Sequence, residues 1–595
     1  MPSNRPGMGA TPFDGGVTFR VWAPFAASVA ARGEFNDWGE APLASEGDGN
    51  WSADVPGAAA GQRYKYFITN RDDGQTYWRR DPRGLGETAP DGDSIVTAAP
   101  SAPSAAGYVT PPFSAWVIYE LHVGTFSRDP STKDGHGTFD SLAARLDDLV
   151  ALGVNVVQLL PSNEFPDRVS EGYDPCDLFA IDADYGGVSG FLRLVAAAHA
   201  RGLAVVMDVV YNHFGNVDLD LWRFDGWYQG SGGGIYVYND DRAHTDWGDT
   251  RPDYGRPEVR QFLRDNALYW CDGLGVDGLR WDAVGFIRNA RGDGDPAHDL
   301  ADGYSLLQAV TSELRARSPW KLMIAEDMRD DPRITRDPSA GGAGFGAQWS
   351  AGFLHGVRDV LLPAADEARD VERLRDALLA RDDDPFGRVL YTESHDEVTS
   401  ATDPQKMRLP AAIDAQDPHG LHARQRAALG AVLVMTARGV PMLFQGQEFA
   451  SAQPFDPGTP LDRAPAAALP GFVRLYRDLI ALRRGTAGLA RGLQGGGLDV
   501  THVNASAHVI AYHRFAAGGP GDDVVVVVNL SNRVFDAYDL PLPRAGAWQV
   551  RFNSDATVYG ADLGDVGLVR TETRDDGTAS VRLGAYAALI LSQDA

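Results

Sequence analysis

A chain of 595 residues is longer than the about 250–300 at which one hydrophobic core stops growing, so more than one domain is expected. Its 44% hydrophobic and 10% aromatic content excludes a disordered chain. The formal net charge of -27 excludes nucleic acid and anionic membrane as partners, and suits a neutral substrate.

Two cysteines, Cys176 and Cys271, encode no disulfide framework. Residues 1–6 lack the apolar core of a secretory signal and no run is long enough to span a bilayer, so a cytoplasmic location is expected. Residues 1–97 read as short strands: Val17–Ala23, Trp51–Val55 and Arg63–Ile68 alternate polar and apolar positions, with Gly, Asp and Pro between them. That is the pattern of a small β-sandwich. Within it, Phe35 and Trp38 flank a polar turn and read first as core, second as platforms for a sugar face.

Ala98–Ala106 contains only small residues and proline and marks a linker over residues 98–112. The rhythm then changes over residues 113–485. Trp116–Val123, Val154–Pro161 and Leu203–Val209 read as strands, with helices over Phe139–Leu152, closed by Gly153, and Phe191–Ala200. Helices over Glu258–Cys271, Tyr304–Ala316 and His422–Ala437 each precede a further strand, the last being Pro441–Phe444, and another helix covers Phe472–Arg484. This α/β alternation predicts a parallel sheet, and charged side chains at the carboxyl ends of several strands favour its closure into a (β/α)8 barrel. The long segment Phe214–Tyr254, rich in Gly, Asp and Trp, reads as an ordered rim. Residues 486–595 return to strands (Val509–Phe515, Asp523–Asn529, Trp548–Phe552) and read as an antiparallel β-domain.

Three strand-like runs, Val205–Asp208, Leu322–Glu326 and Val389–Asp396, end in a carboxylate, and a fourth, Val276–Ala283, carries Arg280 and Asp282 near its end. In Val276–Ala283, Arg280 and Asp282 share one face of a strand end, and an arginine beside an aspartate favours its ionised form, as a carboxylate nucleophile requires. Glu326 follows an apolar strand, whose surroundings would raise its pKa towards that of a general acid. Two such groups, about 5–5.5 Å apart, make up the apparatus of retaining glycoside transfer. Asp396 and His395 are placed to grip ring hydroxyls, Asp208 and His213 to hold a sugar from the other side, and Tyr173 to stack on it. No metal ligand set stands out, and no cofactor is expected; Asn212 reads as a helix cap first and a calcium ligand second. His122 reads as a satisfied core histidine, and Asp327 and Glu393 as supporting or surface acids.

The motifs Asp208-Val-Val-Tyr-Asn-His213, Gly278-Leu-Arg-Trp-Asp282, Ala325-Glu326-Asp327 and Ser394-His395-Asp396 closely resemble, in this order, the signature regions of the alpha-amylase family of glycoside hydrolases and transferases. The resemblance runs from about Trp116 to Arg484. It implies Asp282 as nucleophile, Glu326 as acid/base, Asp396 as transition-state stabiliser, and Arg280, His213, His395, Asp208 and Tyr173 as sugar-binding residues. The substrate it implies is an α-glucan: glycogen, starch or maltooligosaccharides. Gly33-Glu-Phe-Asn-Asp-Trp38 is similar to the starch-binding-type sandwich of branching, debranching and trehalose-releasing members, so residues 1–97 resemble a carbohydrate-binding module. Ala325–Met328 followed by Gly341–Phe345, Tyr391–Asp396 and Phe552–Asp555 are similar to branching enzymes. Gly172-Tyr173-Asp174 instead resembles hydrolytic amylases, and Glu397–Asp403 departs from the branching pattern. The first expectation is transfer of an α-1,4-linked chain to a sugar 6-hydroxyl. The next are an α-amylase releasing maltooligosaccharides and a maltooligosyltrehalose trehalohydrolase; a non-catalytic glucan-binding scaffold is the rival from another class.

Overall fold

A computed structural model describes the chain except for residues 90, 104–106, 167–168 and 382, so part of the expected linker (104–106) lies outside the described residues. The first sheet system runs Gly9–Phe13, Gly16–Trp22, Asn50–Pro56, Ala41–Ser45, Ala26–Gly33, Arg63–Asn70 and Thr76–Arg79, all antiparallel, with Ser94–Ile95 joining Arg63–Asn70. Along Arg63–Asn70 the even-numbered residues Tyr64, Tyr66, Ile68 and Asn70 are buried and their neighbours are not, as period-two alternation requires of a sheet with one wet face. Phe35 packs against Phe19 and takes the core role, whereas Trp38 lies 6.1 Å from the exposed Trp78.

The middle of the chain is a closed barrel of eight parallel strands in sequence order: β1 (Ile118–Leu121), β2 (Val156–Leu159), β3 (Ala204–Val209), β4 (Gly278–Trp281), β5 (Leu322–Ala325), β6 (Ala347–Trp349), β7 (Arg388–Leu390) and β8 (Val440–Phe444). β8 closes on β1 with Met442 opposite Ile118. Residues of β3 are buried on both faces, because helices cover the outside while the strands pack against one another within. The helix Leu421–Thr436 is buried around almost its whole circumference, since the C-terminal sheet covers the side a barrel helix normally shows to water. Tyr512 reaches the Thr436 hydroxyl, and Arg514 donates to the Thr436 carbonyl.

Two expectations are corrected in detail. Phe139–Leu152 is two helices, Phe139–Ala143 and Leu146–Leu152, the first capped by the Thr138 hydroxyl and the second ended by Gly153 in the left-handed region. The helix expected to reach Cys271 ends at Leu268 and passes into a wider π-type turn over Tyr269–Gly273. Strand β6, three residues long with a glutamine at its centre, has too little pattern to be read in advance.

The segment Phe214–Tyr254 is ordered and ties the first sheet system to the barrel. Asp225 accepts the Phe25 N–H at 2.9 Å, and Arg79 donates to the Phe224 and Arg223 carbonyls. Its far end is fastened by the buried Arg251, which donates to the carbonyls of His244, Phe286, Asn289 and Ala290. The C-terminal strands form a six-stranded antiparallel sheet backed by the pair Phe535–Pro541 and Thr578–Leu583. No described helix is long and apolar enough to cross a membrane.

Candidate active site

At the carboxyl end of β4 the chain delivers Arg280 and then Asp282 to the same side, as two residues of one strand face must be. The strand hydrogen bonding continues past its last residue: the Asp282 N–H reaches the Val209 carbonyl at 3.0 Å and the Glu326 N–H the Trp281 carbonyl at 2.9 Å. Ala283 then adopts φ 42, a left-handed conformation that costs a non-glycine residue about 1–3 kcal/mol. That turn aims its N–H at Glu326 Oε2, 2.8 Å away.

Arg280 is the hub. Its side chain is fully buried; Nη1 donates to Asp208 Oδ2 at 2.7 Å and to Asp282 Oδ1 at 2.9 Å, and Nη2 lies 3.0 Å from Glu326 Oε2. Trp349 of β6 covers the guanidinium, its ring centre 4.3 Å from the central carbon. A cavity of about 640 Å³ opens beside this cluster, and Asp282, Glu326, His395, Asp396 and Tyr173 all line it, as do Asp174, Trp247 and Phe286. Arg280, Asp208 and His213 stand behind that lining and orient it. The Tyr173 hydroxyl donates to Asp208 at 2.7 Å, and His213 packs against the Trp247 indole with ring centres 4.9 Å apart. Gly172 (φ 92) lets Tyr173 turn into the cavity, because a Cβ there would collide with the Pro161 carbonyl.

The charge states differ from the simple expectation. Burial, then the neighbouring Glu326, raise the Asp282 carboxyl above the usual carboxylate range, with Arg280 and the Asn212 amide opposing. Arg280 therefore does not secure the Asp282 charge unaided; the two acids share one guanidinium and disfavour two negative charges. Glu326 is not in the apolar niche its strand suggested, since it accepts the Ala283 N–H and touches Arg280. Both Asp282 oxygens are engaged by donors, Oδ1 by Arg280 and Oδ2 by Asn212 at 2.7 Å. Glu326 Oε1 has no partner among the described residues, so it is the oxygen that can carry a proton without displacing a donor. Burial raises Asp208 to about 6 against the opposing Arg280.

Asn212 caps no helix. Nδ2 donates to the Asp282 carboxylate and carbonyl, Oδ1 faces His213 Nδ1, and no described group of three or more His, Cys, Asp or Glu is arranged to hold a metal ion. His122 is buried among Thr125, Ser170 and Tyr185 partners. Asp327 and Glu393 form buried ion pairs with Arg288 (2.6 Å) and Arg408 (2.9 Å). The sequence does not single out Trp247, hidden in a loop without periodicity, or Phe286, which line the cavity, or Trp349, which covers Arg280. Glu120 on β1, outside the cavity lining, is signalled only as a charged residue inside an apolar strand run.

The family model for the alpha amylase catalytic domain matches residues 125–220, that for carbohydrate-binding module 48 (isoamylase N-terminal domain) residues 7–84, and that for the alpha amylase C-terminal all-beta domain residues 500–594. The chain is 32% identical over 590 residues to the 1,4-alpha-glucan branching enzyme GlgB 2 of Xanthomonas oryzae pv. oryzae, covering 94% of this chain and 78% of that protein. It is 30% identical over 598 residues to the 1,4-alpha-glucan branching enzyme GlgB of Marinobacter nauticus, covering 94% and 90%. Among solved structures, a pullulanase from Paenibacillus barengoltzii superposes with a TM-score of 0.76 at 20% identity over 100% of this chain and 95% of that one, a likeness of fold.

Proposed function

Since the chain belongs to the alpha-amylase family and is an enzyme acting on glycosidic bonds, we propose that it cleaves α-1,4-glucosidic bonds by double displacement and passes the released chain to a sugar 6-hydroxyl. In this reading Asp282 attacks the anomeric carbon while Glu326 Oε1 protonates the departing glycosidic oxygen. The covalent Asp282 ester is then opened by an acceptor hydroxyl, whose proton returns to Glu326. Asp396 and His395 would hold the ring hydroxyls as charge develops, and Tyr173 would pack on the sugar from beside Asp208. Arg280 would fix the separation of the two acids, and His213 would fix Tyr173. The observation that carries the reading is the meeting of Asp282 and Glu326 on the two terminal nitrogens of one guanidinium, in the wall of one cavity.

Branching-type transfer is favoured by the near-full-length likeness to enzymes of that name. Hydrolysis to maltooligosaccharides is the second reading, favoured by Asp174, a carboxylate lining the cavity where branching enzymes commonly carry an amide. Incubation with amylose separates the two. Transfer lowers iodine colour and creates 1,6-linkages while reducing ends stay nearly constant; hydrolysis raises reducing ends from the first minutes.

A further inference from the structure

Two buried histidines at this site have oxygen atoms facing both ring nitrogens, and they differ in what those oxygens belong to. His213 faces the Tyr173 carbonyl, 2.8 Å from Nε2, and the Asn212 amide oxygen; both are uncharged, and burial pushes the ring down to about 4. His395 faces carboxylates at both ends. Glu120 Oε1 lies 2.9 Å from Nδ1, and Asp396 Oδ2 lies 3.4 Å from Nε2. Carboxylates only accept, so each nitrogen of that ring needs a proton to make its contact.

Glu120 is an unusual residue for its position. It is fully buried on β1, inside the barrel, and is not accounted for by the chemistry proposed above. A charge there is costly unless paired. Its Oε2 accepts the His395 backbone N–H at 3.3 Å, so one carboxylate holds both the backbone and the ring of His395, and the Gln158 amide approaches Oε1 at 3.5 Å. Tyr173 stacks on the ring, 5.0 Å between centres, which fixes its plane and leaves Nε2 3.4 Å from Asp396 on the cavity wall.

We infer that Glu120 is a positioning residue: from beneath the site it keeps the His395 ring doubly protonated beside Asp396, and thereby holds the Asp396 carboxylate in place over the alkaline range. The charge balance around the ring supports this. Burial alone would discharge it, but Asp396 and Glu120 outweigh burial and raise the ring to about 10, with Arg280 opposing. Asp208 and Glu171 also face the ring and favour its charge, while His122 is itself held down to about 4 by burial. In return, His395 first and Arg280 second lower the Asp396 carboxyl against what burial it has.

The inference rests on the proposed role of the site, and its test has one arm that does not. Protein labelled with ¹⁵N-histidine, titrated by NMR with His395 assigned from its absence in His395→Asn, should show a doubly protonated His395 at pH 8. In Glu120→Gln, which keeps the shape and an acceptor oxygen, the same ring should titrate at least about one unit lower. The alkaline limb of kcat/KM for α-1,4 bond cleavage should move down with it, while kcat and KM at pH 6 stay near those of the unaltered enzyme. A neutral His395 ring at pH 8 in the unaltered protein overturns the inference, even if Glu120→Gln does not fold. So does a Glu120→Gln variant that loses activity uniformly at every pH with its His395 titration unmoved. Should the unaltered chain cleave no α-1,4 bond at any pH, it is the proposed function that fails, and the ring titration still decides the pairing.

Discussion

Arg280 and Arg80 each face three carboxylates, and of the two only Arg280 serves the site cavity. Arg280 touches Asp208, Asp282 and Glu326 beside the space at the end of the barrel. Arg80, at the seam between the first sheet system and the barrel, sits 3.0 Å from Asp177, 3.8 Å from Glu87 and 4.0 Å from Asp220. The ingredients match, but none of the Arg80 partners lines the site cavity. The seam cluster also binds backbone: the Arg80 N–H reaches Asp220 at 2.6 Å, and the guanidinium reaches the Asp218 carbonyl. Arginine among acids is therefore not a signature of catalysis. What distinguishes the two is the cavity: Asp282 and Glu326 line it, and no carboxylate partner of Arg80 does.

The sharpest way to break the comparison is to remove an acid from the Arg280 cluster and the cation from the Arg80 cluster, and ask what is lost. Glu326→Gln should reduce cleavage by about 10²–10⁴-fold, and Asp282→Asn by at least as much, with glucan binding retained. Neither should lower the thermal midpoint, because each relieves repulsion between two acids that share a guanidinium. A clear loss of thermal stability in either variant would make the Arg280 cluster structural, like its counterpart.

Arg80→Met should do the reverse. It leaves Asp177 and Glu87 buried without their cation, an arrangement that typically costs about 3–5 kcal/mol, while kcat on amylose stays unchanged. Urea unfolding alongside initial-rate assays checks both halves. Full stability in the variant would mean that these acids are held by other partners or protonated.

The two clusters also differ in how far they could be read from the sequence. Arg280 and Asp282 are two apart on one strand, Glu326 closes an apolar strand, and His395 and Asp396 follow another, so strand periodicity alone brings them to one end of a barrel. The Arg80 partners lie about 7, 97 and 140 positions away in sequence, in segments whose pairing only the tertiary fold establishes. Glu120 was hidden for a related reason: its partner, His395, is 275 residues distant, and a lone acid in an apolar run shows that a partner exists without naming it. The break between Phe139–Ala143 and Leu146–Leu152 was hidden by its apolar spacing, which stays helical through the interruption. Within Phe214–Tyr254 the order comes from polar links to other segments, which leave no period along the chain.

A smaller effect is the pH dependence of the seam, which has the same sign as that of the raised Asp208 and Asp282 in the Arg280 cluster. Burial raises Asp177 to about 6, with Arg80 opposing, and raises the nearby Asp182 to about 7 and Glu164 to about 9. A carboxyl whose folded-state value is raised holds its proton more tightly when folded, so stability is greatest below its ordinary value and falls as pH climbs through the raised one. The seam should therefore weaken progressively between about pH 4 and pH 9, with Asp177→Asn removing the part of that slope around pH 4–6. Thermal melts of both proteins across this range test it; a midpoint that rises steadily from pH 5 to pH 9 would contradict the assignment.

The least disruptive probe is at the cavity rim, where the Trp247 indole is 42% exposed. One face packs on His213, and the edge of Phe286 meets it with ring centres 5.0 Å apart. Trp247 also lines the cavity, where an apolar sugar face can pack against what remains open. Losing such a contact is worth about 0.5–1.5 kcal/mol, so Trp247→Ala should raise KM for maltooligosaccharides roughly 2- to 10-fold with little change in kcat. The Arg280 cluster lies deeper, held by strand hydrogen bonds and by Trp349, and it does not depend on the rim for its geometry. If Trp247→Ala instead lowered kcat as strongly as Glu326→Gln, rim and hub would be one mechanical unit. The contrast between an acid cluster that faces space and one that fastens a seam would then have to be redrawn around the loop that carries Trp247.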